Sequence, residues 1–182
     1  MSDAPFRLQW LSTLVPPRTA GRILEVGCGN GQLLELLALR CPHAELVGID
    51  RSALQARRAE MRLVELPRAP QVHHLTLESA GAHFAPVRFS LIVAMNVNLV
   101  WTSPGVAGAA LRELLAPRGR VLLGYESPTP GGRDALHARL LDAIADTGFA
   151  LRGEYQPDDG SRGVFAVDLR VATVRVPKGT PS

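Results

Sequence analysis

The chain has 182 residues, 46% of them hydrophobic, and a formal net charge of +3. That length suits one well-buried core, and no apolar run approaches the roughly 20 residues of a membrane span. All but Lys178 of the 20 basic residues are Arg and they are scattered, so no basic tract with interleaved aromatics marks a nucleic-acid partner.

Phe6, Trp10 and Leu14 recur at four-residue spacing, which predicts a short amphipathic helix stopped by Pro16-Pro17. Ile23, Leu24 and Val26 form a first apolar strand. It ends in glycines at alternate positions, Gly27, Gly29 and Gly31. A leucine-rich helix from Asn30 to Arg40 follows, then a second strand that stops on Asp50. Ser52-Ala-Leu-Gln55 reads as a capping box opening a helix to about Glu65. A third strand is expected over 71–77, and a fourth, apolar almost throughout and so buried on both faces, over Phe89–Met95. Ser103-Pro104 opens a helix that ends near Ala116-Pro117. A fifth strand spans Arg120–Tyr125, and a helix runs from Asp134 to Thr147, closed by Gly148. Strands over 149–156 and 163–175 form a hairpin through Pro157-Asp-Asp-Gly160, before a frayed tail at 177–182.

Strands alternating with helices point to a doubly wound α/β sheet in a single domain, residues 1–182, with a helical segment over 1–19. The N-terminus has no basic region followed by an apolar core, so a cytoplasmic protein is the expectation. Cys28 and Cys41 flank a helix roughly 15 Å long, too far apart for a disulfide. Cys28 is read as a small side chain tolerated in the glycine turn rather than as a reactive thiol. Neither the cysteines nor the histidines have metal-ligand spacing, so no metal is expected.

The first turn is built for close approach by a ligand. Glycine lets the backbone lie against a nucleotide, and the next helix offers its N-terminal N–H groups to an anion. Asp50 at the tip of the second strand suits two ribose hydroxyls. The dinucleotide fingerprint G-x-G-x-x-G fails at Gln32. Glu25-Val-Gly27-Cys28-Gly29-Asn30-Gly31 instead resembles motif I of the class I S-adenosylmethionine (SAM)-dependent methyltransferases, with Asp50 as the ribose acid. The resemblance implies SAM as cofactor and S-adenosylhomocysteine (SAH) as product. It implies a mostly parallel seven-stranded sheet in the order 3-2-1-4-5-7-6, strand seven antiparallel. It places Glu25 near the methionine ammonium, Arg51 beside the adenine, and Leu77-Glu78-Ser79 at the end of strand three, where Glu78 reads the adenine amino group. Met95 and Asn96 at the end of strand four face cofactor and substrate.

Asn98 and Trp101 are candidate substrate contacts, and Tyr125 and Glu126 the candidate catalytic pair, with Glu126 as a general base. The chain lacks the proline pair that family members methylating exocyclic amines often carry after strand four, which speaks against amine methylation of nucleic acid; with no long insertion between strands to form a recognition domain, a small-molecule acceptor is the first choice and RNA or protein the second. Two other classes stay open: a SAM-binding regulator without catalysis, and a nucleotide-dependent enzyme of Rossmann type. Two mechanical expectations complete the reading. Asp50, a strand-end acid, should matter to the ligand and little to stability. Gly29 should lie where backbone meets cofactor, and Gly31 where the first helix packs on the sheet.

Overall fold

The computed structural model describes residues 3–129, 131–158 and 163–172. The chain begins with α1 (Phe6–Thr13), β1 (Gly21–Val26), α2 (Gln32–Arg40), β2 (Ala44–Asp50) and α3 (Ala53–Leu63). Then come β3 (Gln71–His74), α4 (Leu77–Phe84), β4 (Phe89–Met95), α5 (Leu99–Thr102) and α6 (Pro104–Leu114). The chain continues through β5 (Leu115–Glu126), α7 (Arg133–Ala145), β6 (Phe149–Tyr155) and β7 (Val164–Val171). The strands form one sheet, β3-β2-β1-β4-β5-β7-β6, in which β7 runs antiparallel to both β5 and β6. This is the topology that the family resemblance implies.

The apolar pattern explains the layering. In β1 the residues Ile23 and Leu24 are both fully buried, one on each face of the sheet. Ile23 joins Leu11 of α1, Leu33, Leu34 and Leu37 of α2, and Ala59 and Leu63 of α3. Leu24 joins Leu77 of α4, Ala107 and Leu111 of α6, and Leu140 of α7. Helices α1–α3 therefore cover one face and α4–α7 the other. The buried face of α1 is carried by Leu11, with Val15 just beyond the helix, while Phe6, Trp10 and Leu14 are only partly buried beside it.

Several elements differ from expectation, each for a local reason. β3 stops at His74, because the Thr76 hydroxyl accepts the Ser79 N–H at 3.4 Å and opens α4. Leu77, Ala80 and Gly81 are then buried at helical spacing, so Leu77-Glu78-Ser79 starts a helix rather than ending a strand. α2 begins at Gln32, with left-handed Gly31 as its N-cap. α6 ends at Leu114, and β5 starts at Leu115, earlier than the Ala116-Pro117 boundary suggested. α5 is a further short helix. The Ser52 cap forms as expected, accepting the Gln55 N–H at 3.4 Å. The tip of the final hairpin, residues 173–175 and the tail at 177–182 lie outside the described residues.

Candidate cofactor and acceptor site

β1, β2, β4 and β5 are mutually parallel, so their carboxyl ends share one edge. That edge, at the point where the chain order reverses between β1 and β4, is where ligands bind in open α/β sheets. The turn after β1 is left-handed at each of its glycines, with φ of +70° at Gly27, +54° at Gly29 and +83° at Gly31. Side chains rarely adopt that conformation. The N–H groups of Gly27 and Cys28 both donate to Ile49 O, at 2.8 and 3.0 Å, tying the turn to β2. A Cβ at Gly29 would meet nothing within 4 Å. The turn thus presents bare backbone to open space, beside the partly exposed Asn30.

Asp50 is more deeply engaged than a strand-end acid need be. Its Oδ2 accepts the Gly29 N–H at 2.8 Å, and its Oδ1 accepts the Ser52 N–H at 2.8 Å. A carboxylate oxygen has a second lone pair, so both oxygens can still accept a hydroxyl proton. The carboxylate is held by the very turn whose Gly29 faces open space. Arg51 follows with an exposed side chain, and His74 Nε2 lies 3.1 Å from the Arg51 carbonyl, joining the tips of β2 and β3. Glu78 is exposed on the first turn of α4, and the Leu77 side chain belongs to the core, leaving only its backbone toward a ligand.

Glu25 lies behind the turn, only 3% exposed, and its Oε2 has no hydrogen-bond partner among the described residues. Burial pushes its carboxyl well above the ordinary carboxylate range; the Leu34 N–H of α2 opposes this, and the Asp50 charge adds to it. With the folded pKa raised, the neutral form is favoured and ionisation opposes folding. The contribution is intact below the unfolded value of about 4.3 and is lost as pH climbs toward the folded value. Glu25→Gln should therefore gain melting temperature over the native protein by an amount that grows from pH 5 to pH 8. Paired thermal melts check this, and a pH-independent difference would contradict it.

Cys28 is buried, and its thiol is pushed up by burial and by the charges of Glu25 and Asp50. Burial raises Cys41 as well, with Arg40 opposing. Both thiols are free. Neither should react with iodoacetamide in the native protein at pH 8, and both should react once it is unfolded. Fast native labelling of Cys28 would show that the turn opens.

On the acceptor side, Asn98 is exposed and Trp101 partly buried, with Arg139 5.8 Å from the Trp101 ring centre. Tyr125 does not fit the role expected of it. It is 1% exposed, and its hydroxyl donates to Val97 O at 2.9 Å. Burial also raises its pKa, so it keeps its proton. Glu126 is at the edge as expected, and its Oε2 accepts from Arg7 of α1 at 3.1 Å. Met95 is buried against Gly124 and joins the Leu11 side of the core, while Asn96 turns the chain at φ +57°. Arg7, Thr76 and Val97 were not found from sequence. Thr76-x-x-Ser79 carried a usable capping signal. Arg7 stands 119 residues from its partner, and no local pattern marks such a pair.

The donor set fits SAM: bare backbone at Gly29, a fixed acid at the tip of β2, the uncapped N-terminus of α2, and a buried acid whose oxygen is orphaned among the described residues. Fold and edge together define a Rossmann-like nucleotide-binding class. A methyltransferase-domain family model matches residues 23–119, and the chain belongs to the class I SAM-dependent methyltransferase family. The chain is 31% identical over 121 residues to a ubiquinone biosynthesis O-methyltransferase of Aromatoleum aromaticum, covering 64% of this chain and 48% of that protein. It is 34% identical over 87 residues to a trans-aconitate 2-methyltransferase of Afipia carboxidovorans, covering 48% of this chain and 31% of that one. The chain thus spans about half the length, or less, of these curated relatives. Among solved structures it resembles a SAM-dependent methyltransferase of Clostridium acetobutylicum, with a TM-score of 0.71, 10% identity and 94% of each chain covered. It also resembles the neocarzinostatin O-methyltransferase NcsB1, solved with SAM and a naphthoic acid, with a TM-score of 0.68 and 18% identity, covering 89% of this chain and 52% of that one.

Proposed function

We propose that this chain moves the methyl group of SAM to a nucleophilic O, N or C atom of a small-molecule acceptor in the cytoplasm, releasing SAH. The observation that carries the reading is the pairing of Gly29 with Asp50. The residue whose backbone faces open space is bonded at 2.8 Å to the acid at the tip of β2. Bound there, SAM supplies a methyl group on a positively charged sulfur, already activated toward nucleophiles.

The chain's own work is binding and alignment. Asp50 accepts the ribose hydroxyls on a carboxylate already locked by Gly29 and Ser52. The N–H groups of the first turn of α2 suit an anionic group, and a cation beside Glu25 would draw its carboxyl toward the ionised form, with the orphan oxygen accepting. On the other side, Arg7 holds Glu126 Oε2, and Oε1, which has no partner among the described residues, accepts a proton from the acceptor. α1 carries Arg7 to the edge, where the pair stays partly exposed to solvent. A small-molecule acceptor is supported by the relatives named above, a ubiquinone biosynthesis O-methyltransferase and a trans-aconitate 2-methyltransferase.

The test is transfer of labelled methyl from SAM to a panel of phenols, carboxylic acids and amines, with RNA and protein fractions alongside. Label should enter a small molecule. With a hydroxyl acceptor, Glu126→Gln should lower kcat/KM by about 100-fold or more, the lower range for losing a general base. Label entering only RNA or protein would overturn the small-molecule reading.

A further inference from the structure

The loop that leaves β4 is pinned to β5 by three hydrogen bonds. The Asn96 N–H donates to Gly124 O at 2.9 Å. The Glu126 N–H donates to Asn96 Oδ1 at 2.9 Å, and the Tyr125 hydroxyl donates to Val97 O at 2.9 Å. Asn96 holds a left-handed backbone, φ +57°, which among the described residues only Arg118 shares outside glycine. Such a conformation is strained for a side chain and persists where its surroundings over-determine it. Asn suits the position, since it tolerates that region and its side chain reaches a nearby backbone group.

The far side of the same loop touches the glycine turn. A Cβ on Gly27 would lie 2.8 Å from Val97 Cγ2. The loop is thus wedged between β5 and the first glycine of the turn. Its inner wall is Tyr125, whose ring lies 4.5 Å from Trp101 and 5.8 Å from Phe165 by centroids. A buried hydroxyl that keeps its proton is a dependable donor to the Val97 carbonyl.

We propose that Asn96 and Tyr125 are positioning residues that hold Val97 against Gly27 and so set the width of the cofactor cleft on its acceptor side. The inference rests on the reading of the glycine turn as the SAM site. Neither side chain needs to touch the ligand. Each acts by keeping the loop in place, and apparent affinity falls with the fraction of molecules in which the loop is out of place.

The experiment is calorimetric titration with SAH, with circular-dichroism melts on the same samples, for the native protein and four variants. Tyr125→Phe keeps the ring and removes one hydrogen bond; it should weaken SAH by about three- to tenfold. Asn96→Gly keeps the left-handed backbone and removes Oδ1; it should weaken SAH by a similar factor with the melt nearly unchanged. Asn96→Ala loses both features and should bind worst. Asn96→Asp keeps an acceptor oxygen and tolerates the backbone, and should restore binding to near the native value. A purely structural role would shift the melts and leave the affinities alone. If Tyr125→Phe and Asn96→Gly both bind SAH as the native protein does, or if Asn96→Asp binds as poorly as Asn96→Ala, the inference is overturned while the site stands. If the native protein itself does not bind SAH, the site reading falls and takes the inference with it.

Discussion

Gly31→Ala should lower the melting temperature by roughly 5–15 °C, more than Gly29→Ala in the same turn. Two costs add. The residue sits at φ +83°, where an L side chain is strained by about 1–2 kcal/mol. Its new Cβ would lie 3.1 Å from the Ala59 Cα and 3.2 Å from Leu63 Cδ1. A Cα in the middle of α3 cannot swing aside, so overpacking adds about 1–3 kcal/mol. For a chain of this size each kcal/mol shifts the midpoint by about 2–4 °C. The contact is with α3 and not with the sheet, as the spacing alone suggested. Gly29→Ala meets open space and carries only the strain of φ +54°, so its melt should fall by a few degrees. Its Cβ would fill the cleft, so it should lose SAH binding, while Gly31→Ala should keep most of it if folded. Equal melting losses in the two variants would contradict this division of labour.

Asp50→Ala should weaken SAH binding by about 100-fold or more. Two hydrogen bonds to a charged group are each worth about 1.5–3 kcal/mol, and tenfold corresponds to about 1.4 kcal/mol. The change should also destabilise the protein, by about 1–3 kcal/mol, because the N–H groups of Gly29 and Ser52 lose their acceptor. That corrects the expectation that a strand-end acid matters little to the fold. Asp50→Asn retains one acceptor oxygen and should recover part of the stability but little of the affinity. Affinity unchanged in Asp50→Ala would remove Asp50 as the ribose ligand.

What was legible in the sequence is what short-range chemistry encodes. Gly27, Gly29 and Gly31 stand where a left-handed backbone favours glycine, so the turn and the strand and helix around it could be read from a few residues. The apolar run of β4 and the cap at Ser52 were readable for the same reason. Tyr125 was misread because a tyrosine at a strand end looks the same whether its hydroxyl faces a ligand or a carbonyl; only the fold places Val97 above it. Leu77-Glu78-Ser79 was misread because two adjacent histidines blurred the end of β3 and the Thr76 cap was overlooked. The Arg7–Glu126 pair joins the first helix to the fifth strand, and nothing local in either segment specifies the other.

Under the proposed function, the strain in the turn, the lock on Asp50 and the orphan oxygen of Glu25 all serve SAM seated between β1, β2 and β4. Isothermal titration of the native protein with SAH tests it most directly. The account predicts saturable binding of one SAH per chain, with the melting temperature rising by mass action as ligand is added. Folded protein that shows neither binding heat nor a melting shift at millimolar SAH would contradict it.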